Sequence, residues 1–173
     1  LFDMKGIMDV STLDLRVREK WHRVEGPIPT RQKTIRVSVG DMFKPRDFMI
    51  AARFIIPADR KAKGFHITGG HGRRDFFRGK YPKLSKLDIE LLKNGVGRVM
   101  TIVQDHGPQE FKSNCGKAMR VEFLKTMNPR YSIQYWGWPA VLMRVITAAC
   151  NEPDYIEKGK ISSGGDSKNG ASP

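Results

Sequence analysis

The alternation of apolar and polar positions is clearest at residues 34–39, Thr-Ile-Arg-Val-Ser-Val, where Ile35, Val37 and Val39 fall on one side and Thr34, Arg36 and Ser38 on the other. A period of two marks a half-buried strand, because successive side chains leave a pleated backbone on opposite faces. Gly40 and Asp41 break the pattern. Pro45 is then placed to open a helix over residues 46–56, which would bury Phe48, Ala51, Ala52 and Ile55 before Pro57 stops it. Ahead of the strand, residues 1–33 hold a weak helical pattern over residues 13–21 and a proline-punctuated end, Gly26-Pro27-Ile28-Pro29, and read as an N-terminal arm.

From Ala58 to Lys83 the pattern gives way to glycine, basic residues and phenylalanines, which predicts a long loop. Ser85 then offers an N-cap with Asp88 three places on. Leu87, Leu91 and Leu92 follow, and Lys93-Asn94-Gly95 supplies a stop, so a short helix is expected there. Beyond Gly97 the period returns to two, predicting strands at residues 98–104, 110–114, 119–125, 132–138 and 141–147. Asp105-His106-Gly107-Pro108, Cys115-Gly116 and Met127-Asn128-Pro129 are turn-like, and strands joined by short turns are normally antiparallel neighbours. Residues 151–173 are polar and glycine-rich and read as a flexible tail. The expected fold class is therefore α+β: an antiparallel sheet with two or three packed helices in residues 34–150, between the arm and the tail.

Charge changes the picture from fold to partner. The chain carries 31 Lys and Arg against 18 Asp and Glu, a net charge of +13, and residues 151–173 hold only three of the bases and four of the acids. The basic character thus belongs to the folded part. Such an excess suits a nucleic acid, a nucleoprotein polymer or an acidic lipid leaflet, since clustered Lys and Arg attract any of them without sequence specificity. A basic RNA-binding, capsid or ribosome-associated protein is one reading that follows. The two cysteines, Cys115 and Cys150, form no metal or disulfide pattern. The first ten residues lack the apolar core of a signal peptide, the longest apolar stretch, residues 136–143, is too short to span a bilayer, and Leu1 leaves room for a short leader ahead of it.

The richest candidate surface is the loop of residues 60–80. Arg60, Lys61, Lys63, Arg73, Arg74, Arg78 and Lys80 ring Phe65, Phe76 and Phe77, with Asp75 the one acid among them. The cations suit anionic partners, and Phe76 and Phe77 suit membrane insertion or self-association; packing into the domain's own core is the plain alternative. Gly69-Gly70-His71-Gly72-Arg73-Arg74 invites a phosphate-loop reading, but no Gly-Lys-Ser/Thr follows and no strand-to-helix unit is expected around it, so a hinge is preferred. His22, His66, His71 and His106 sit in no metal motif, and Asp105-His106 with Cys115 reads as an ordinary turn rather than a nucleophile and its base. Tyr81-Pro82-Lys83-Leu84 has the YPxL form of a viral late motif, carried by Tyr81, Pro82 and Leu84, or else simply leads into the helix capped by Ser85. Tyr131, Tyr135, Trp136 and Trp138 form an aromatic cluster of the kind found in cores and sheet edges.

Three collinear stretches resemble the globular domain of rhabdovirus matrix proteins. They are residues 34–39 with Lys44-Pro45-Arg46; Asp105, Gly107, Glu110, Phe111 and Cys115; and residues 131–147, with Ile133, Leu142 and Ile146 at like positions. The family's lysine-rich arm and PPxY motif are absent, which suits a plant-infecting member of the cytoplasmic type. The resemblance implies a non-enzymatic viral structural protein that self-associates, condenses the ribonucleoprotein nucleocapsid, links it to the inner face of the envelope and supports budding. Its partners would be the nucleoprotein-RNA nucleocapsid, acidic membrane lipids, other copies of itself and the envelope glycoprotein. Its place would be the virion, beneath the envelope, and the host cytoplasm and membranes. No catalytic residue, metal or cofactor is expected.

Overall fold

Six strands pair into one mixed sheet. The computed structural model describes residues 4–39, 49–69, 83–102, 125, 138–157 and 160–165. Helix α1 (Met4–Met8) and a 3-10 turn (Val10–Thr12) lead into β1 (Leu15–Val24), β2 (Thr30–Ser38), β3 (Met49–Pro57), β4 (Phe65–Thr68), α2 (Lys86–Lys93), β5 (Gly97–Thr101), α3 (Trp138–Cys150) and β6 (Ile161–Gly164). The strand order is β1-β2-β3-β5-β4-β6. Along it β1, β2, β3 and β5 are antiparallel, whereas β5, β4 and β6 run parallel. The expected antiparallel α+β sheet is thereby corrected. Parallel neighbours cannot be joined by a short turn, and α2 and α3 lie in the crossovers that join them.

Several elements differ in kind from expectation, each for a physical reason. Residues 49–57 form a central strand rather than a helix, and every one of them is buried. A strand covered on both faces has no polar side to alternate with, so its apolar run mimics other patterns. Residues 15–24 form β1 rather than a weak helix; register irregularities between Val17 and Glu19 and between Glu19 and His22 scramble its alternation. Residues 141–147 lie inside α3, not in a strand. Pro139 stands in its first turn, where no N–H is needed, and Val141, Val145 and Ala149 recur every fourth residue as a buried face. The stretch 58–83, expected as loop, holds β4, with Phe65 and Ile67 buried. Within the expected tail, Ile156 is buried and β6 pairs with β4. The expected strands at 110–114, 119–125 and 132–138 lie outside the described residues, Lys125 and the backbone of Trp138 apart.

Two readings match the structure well. Residues 34–38 belong to β2, with Ile35 and Val37 in the core. Ser85 caps α2 in a reciprocal capping box: its hydroxyl oxygen accepts from the Asp88 N–H, and its own N–H donates to Asp88 Oδ2 at 2.8 Å.

The sheet is covered on both faces. Helix α3 packs Ala140, Val141, Val145 and Ala148 onto Ile35, Val37, Ala52 and Phe54. On the other face α2 sets Leu92 against Ala51, Ile55 and Met100. Trp21 stacks on Tyr155 with ring centroids 4.5 Å apart and donates to Glu152 Oε2, which ties β1 to the chain beyond α3.

The N-terminal segment is locked by one buried side chain. Arg144 of α3 donates to the carbonyl oxygens of Ile7 (3.0 Å), Asp9 (3.2 Å), Ser38 (2.9 Å) and Thr12, and to the Thr12 hydroxyl. Burial pulls its guanidinium below the ordinary arginine value, with Asp9 and Asp14 opposing that pull. Arg144→Met, which keeps the apolar stem, is expected to lower unfolding stability by about 2 kcal/mol, since buried carbonyls lose charge-assisted partners. Denaturant titration with Trp fluorescence checks this; a change below a few tenths of a kcal/mol would show that the lock is dispensable.

Candidate functional site

In open sheets built from crossovers, ligands bind in the crevice outside the carboxyl ends of the strands. Here the chain winds from β4 back to β5 through α2, then returns past β4 to β6 through α3, and the two helices cover opposite faces. The carboxyl ends of β5, β4 and β6 therefore open on one edge. In the register, Thr68 of β4 stands level with Met100 of β5 and with Gly164 of β6. The segments that leave β4 and β6 start side by side, from Gly69 and Gly165.

A buried polar network holds this edge. Arg98 of β5 pairs with Asp88 at the start of α2, both side chains being more than nine-tenths buried. The remaining guanidinium nitrogens donate to the His66 carbonyl oxygen at 2.9 Å and to Thr68 Oγ1 at 3.2 Å. Burial opposes ionisation of Asp88, but hydrogen bonds from Ser85 and the Arg98 cation outweigh it and hold the carboxyl below the usual carboxylate range. His66, on the same face of β4, has Nδ1 2.9 Å from the Ser162 hydroxyl of β6. Among the described residues no three His, Cys, Asp or Glu side chains gather as a metal-ligand set.

Of the described residues singled out in the sequence, His66 belongs to this network and the cations Arg60, Lys61 and Lys63 do not. Arg60, Lys61 and Lys63 are exposed between β3 and β4, and Arg60 is engaged by Asp59 at 3.2 Å. Leu84 packs beneath α2 against the second core cluster, which supports its plain reading as a lead-in to the helix. Phe65 is a core residue. Arg73, Arg74, Phe76, Phe77, Arg78, Lys80, Tyr81 and Pro82 lie outside the described residues, as do His71, Asp105, His106, Cys115, Tyr131, Tyr135 and Trp136. His22 sits half-buried on β1, and Cys150 is half-buried at the end of α3. No helix among the described residues is long and apolar enough to cross a membrane.

Two sequence signals gain meaning from this geometry. Gly69-Gly70-His71-Gly72 was set aside for want of a strand-to-helix unit, yet it follows β4, which runs parallel to β5 with α2 in the crossover. The second lies inside the stretch expected as a tail. Gly165-Asp166-Ser167-Lys168-Asn169-Gly170 follows β6 directly in the sequence, with Ser167 two residues beyond Gly165. Only Gly165 of that run lies within the described residues.

No protein-family model and no curated protein matches the chain. Solved structures do. The chain is similar to an acetyl xylan esterase from Paenibacillus sp. R4, with a TM-score of 0.62 and 14% identity, covering 98% of this chain and 52% of that one. It is also similar to a promiscuous CE15 esterase from a marine bacterial metagenome (TM-score 0.59, 16% identity, 90% of this chain and 46% of that one). A glucuronoyl esterase from Solibacter usitatus matches with a TM-score of 0.55 at 13% identity, over 96% of this chain and 52% of that one. The chain thus spans about half the length of the structures it matches. At such identities the likeness shows the fold, which is α/β-hydrolase-like. It overturns the resemblance to rhabdovirus matrix proteins, whose three stretches rested partly on a helix and a strand that are here a strand and a helix. With it fall the function of a viral structural matrix protein that supports budding, its alternative of a basic RNA-binding, capsid or ribosome-associated protein, and the expectation that the chain is not an enzyme, because the structures that share its fold are named as esterases.

Proposed function

We propose that the chain carries the nucleophile half of an ester-hydrolysing site, in which Ser167 attacks a carboxylic ester borne by a carbohydrate. The observation that supports this best is the parallel pairing of β4 with β6, Thr68 level with Gly164, which sets Gly69 and Gly165, the first residues of two glycine-bearing runs, at the ends of adjacent strands about 4.8 Å apart. Ester hydrolysis on this kind of sheet needs such a pair. A serine on a sharp strand-to-helix turn attacks the carbonyl carbon and gives up its proton to a base. The oxyanion that forms accepts hydrogen bonds from the N–H after the serine and from an N–H of the neighbouring strand's loop. In this chain those donors would be Lys168 and the run Gly69-Gly70-His71-Gly72. The alcohol then leaves, and water releases the acyl group from the serine.

The motif departs from the usual Gly-x-Ser-x-Gly: Asn169 stands where the second glycine would be, and Gly170 follows it. In that fold the acid and the histidine follow the serine in chain order. His22, His66, His71 and His106 all precede Ser167, so none of the four is assigned as the base, and with the chain alone the serine proton passes to water. The carbohydrate ester comes from the acetyl xylan and glucuronoyl esterases that share the fold.

Incubating the chain with p-nitrophenyl acetate and mapping adducts by mass spectrometry is expected to find an acetyl group on Ser167. Ser167→Ala should lose that adduct and slow nitrophenol release by on the order of tenfold or more. Acetylation confined to lysines, with release unchanged in Ser167→Ala, would sink the reading.

A further inference from the structure

We propose that His66 is a positioning residue, whose imidazole braces the end of β6, the strand that Ser167 follows in the sequence. The inference rests on the reading of Ser167 as nucleophile. Three observations on β4, β5 and β6 carry it. His66 is the register partner of Ser162, and its Nδ1 lies 2.9 Å from the Ser162 hydroxyl. Two residues further along the same face of β6, the ring lies against Gly164: a Cβ there would stand 2.9 Å from both Cε1 and Nε2. Real side chains do not tolerate such an approach, so the close fit of ring to strand depends on glycine at Gly164. The brace is anchored behind, because Arg98 donates to the His66 carbonyl oxygen at 2.9 Å while paired with the buried Asp88.

The chain of contacts runs from the start of α2 through Asp88, Arg98 and the β4 backbone to the His66 ring and the last residues of β6. Gly165 follows Gly164 directly, and Ser167 is three residues beyond it. Nothing in plain sheet formation requires an imidazole at this register position, since backbone pairing alone would hold β4 to β6. What the ring adds is a lateral limit on how the final residue of β6 can shift.

The brace has a pH signature. Burial lowers the His66 pKa, Arg98 lowers it further, and Asp88 opposes them. Among the described residues these are the charged groups that face it, and Ser162 and Gly164 complete its surroundings on β6. A histidine whose folded pKa is depressed contributes stability that is fully present above its ordinary value and lost as pH falls through the folded one. Protonation would place a second cation beside Arg98 and against the end of β6.

The test is nuclear magnetic resonance on the full chain, independent of activity. As pH falls from about 8 to about 5, the amide resonances of Ser163, Gly164 and Gly165 are expected to titrate together with the His66 ring. In His66→Asn, whose amide can occupy the Nδ1 position, that titration should vanish while amide protection is kept. In His66→Ala, exchange at those three amides should quicken by about tenfold or more. Amides that ignore the ring's titration, or that exchange equally in His66→Ala and the native chain, would overturn the brace. An acetylation experiment on the same variants separates the two readings. Coupled amides without any Ser167 adduct would refute the esterase alone, and a Ser167 adduct formed equally in His66→Ala would refute the brace alone.

Discussion

Asp88→Ala is expected to lower the unfolding free energy by about 3–5 kcal/mol, because it strands the buried Arg98 cation with no carboxylate to face. Both side chains are nearly inaccessible, at 6% and 7% exposure. The same carboxylate accepts from the N–H and hydroxyl of Ser85, so its loss also opens the capping box of α2. Replacing both partners, as Asp88→Leu with Arg98→Met, should cost less than Asp88→Ala alone, since no charge is then left buried. Denaturant midpoints for the two variants decide the matter, and equal losses would mean that the pair is not the source of the effect. The pH dependence has a definite sign. A carboxyl held below its ordinary value in the fold stabilises it above that value, and the contribution disappears as acid protonates the folded form. Native protein should therefore lose stability on acidification below the ordinary aspartate range, and Asp88→Ala should lose less over the same interval.

Gly64→Ala should be comparably damaging, although it adds a single methyl group. A Cβ at Gly64 would fall well inside contact distance of the Lys160 carbonyl oxygen and 2.6 Å from the Lys160 Cβ. That carbonyl is the acceptor for the Phe65 N–H at 2.9 Å, and the Gly64 carbonyl accepts from the Gly97 N–H at 2.9 Å. Backbone, not a yielding side chain, is what the methyl group would strike, and backbone can move only by giving up these bonds. Overpacking normally costs about 1–3 kcal/mol where side chains can shift, and here it should reach or pass the upper end. The signature is local: amide exchange should quicken first in Phe65–Thr68 and Ile161–Gly164, while β1 and β2 stay protected. Uniform loss of protection across the sheet would count against this account.

Both predictions concern the same joint, where β4, β5 and β6 meet and where Gly69 and Gly165 follow the ends of adjacent strands. The strongest restraints among the described residues, a buried ion pair and a glycine pressed against backbone, thus stand close behind the proposed site. A nucleophile must be held to within a fraction of an ångström of its oxyanion donors, so a rigid joint at the ends of these strands fits the chemistry proposed.

The amino-acid order alone was enough for elements whose cause is local. The strand around Ile35 and Val37 shows itself through alternation, because one of its faces is apolar throughout. Helix α2 shows itself through its cap, because Ser85 and Asp88 bond to one another across a single turn. Everything decided by distant partners was hidden. Residues 49–57 are a strand because β2 and β5 flank them and helices cover both faces; residues 141–147 are helical although their β-branched side chains suggest otherwise. Residues 161–164 hold too little apolar surface to be recognised, and their strand exists through backbone pairing with β4, whose register partners lie almost a hundred positions earlier. The serine-bearing run behind them therefore reads, from sequence alone, as part of a tail. Short-range bonds leave their mark on neighbouring letters of the chain, whereas parallel pairing is made between segments that carry no trace of each other, and in this protein the proposed chemistry depends on the second kind.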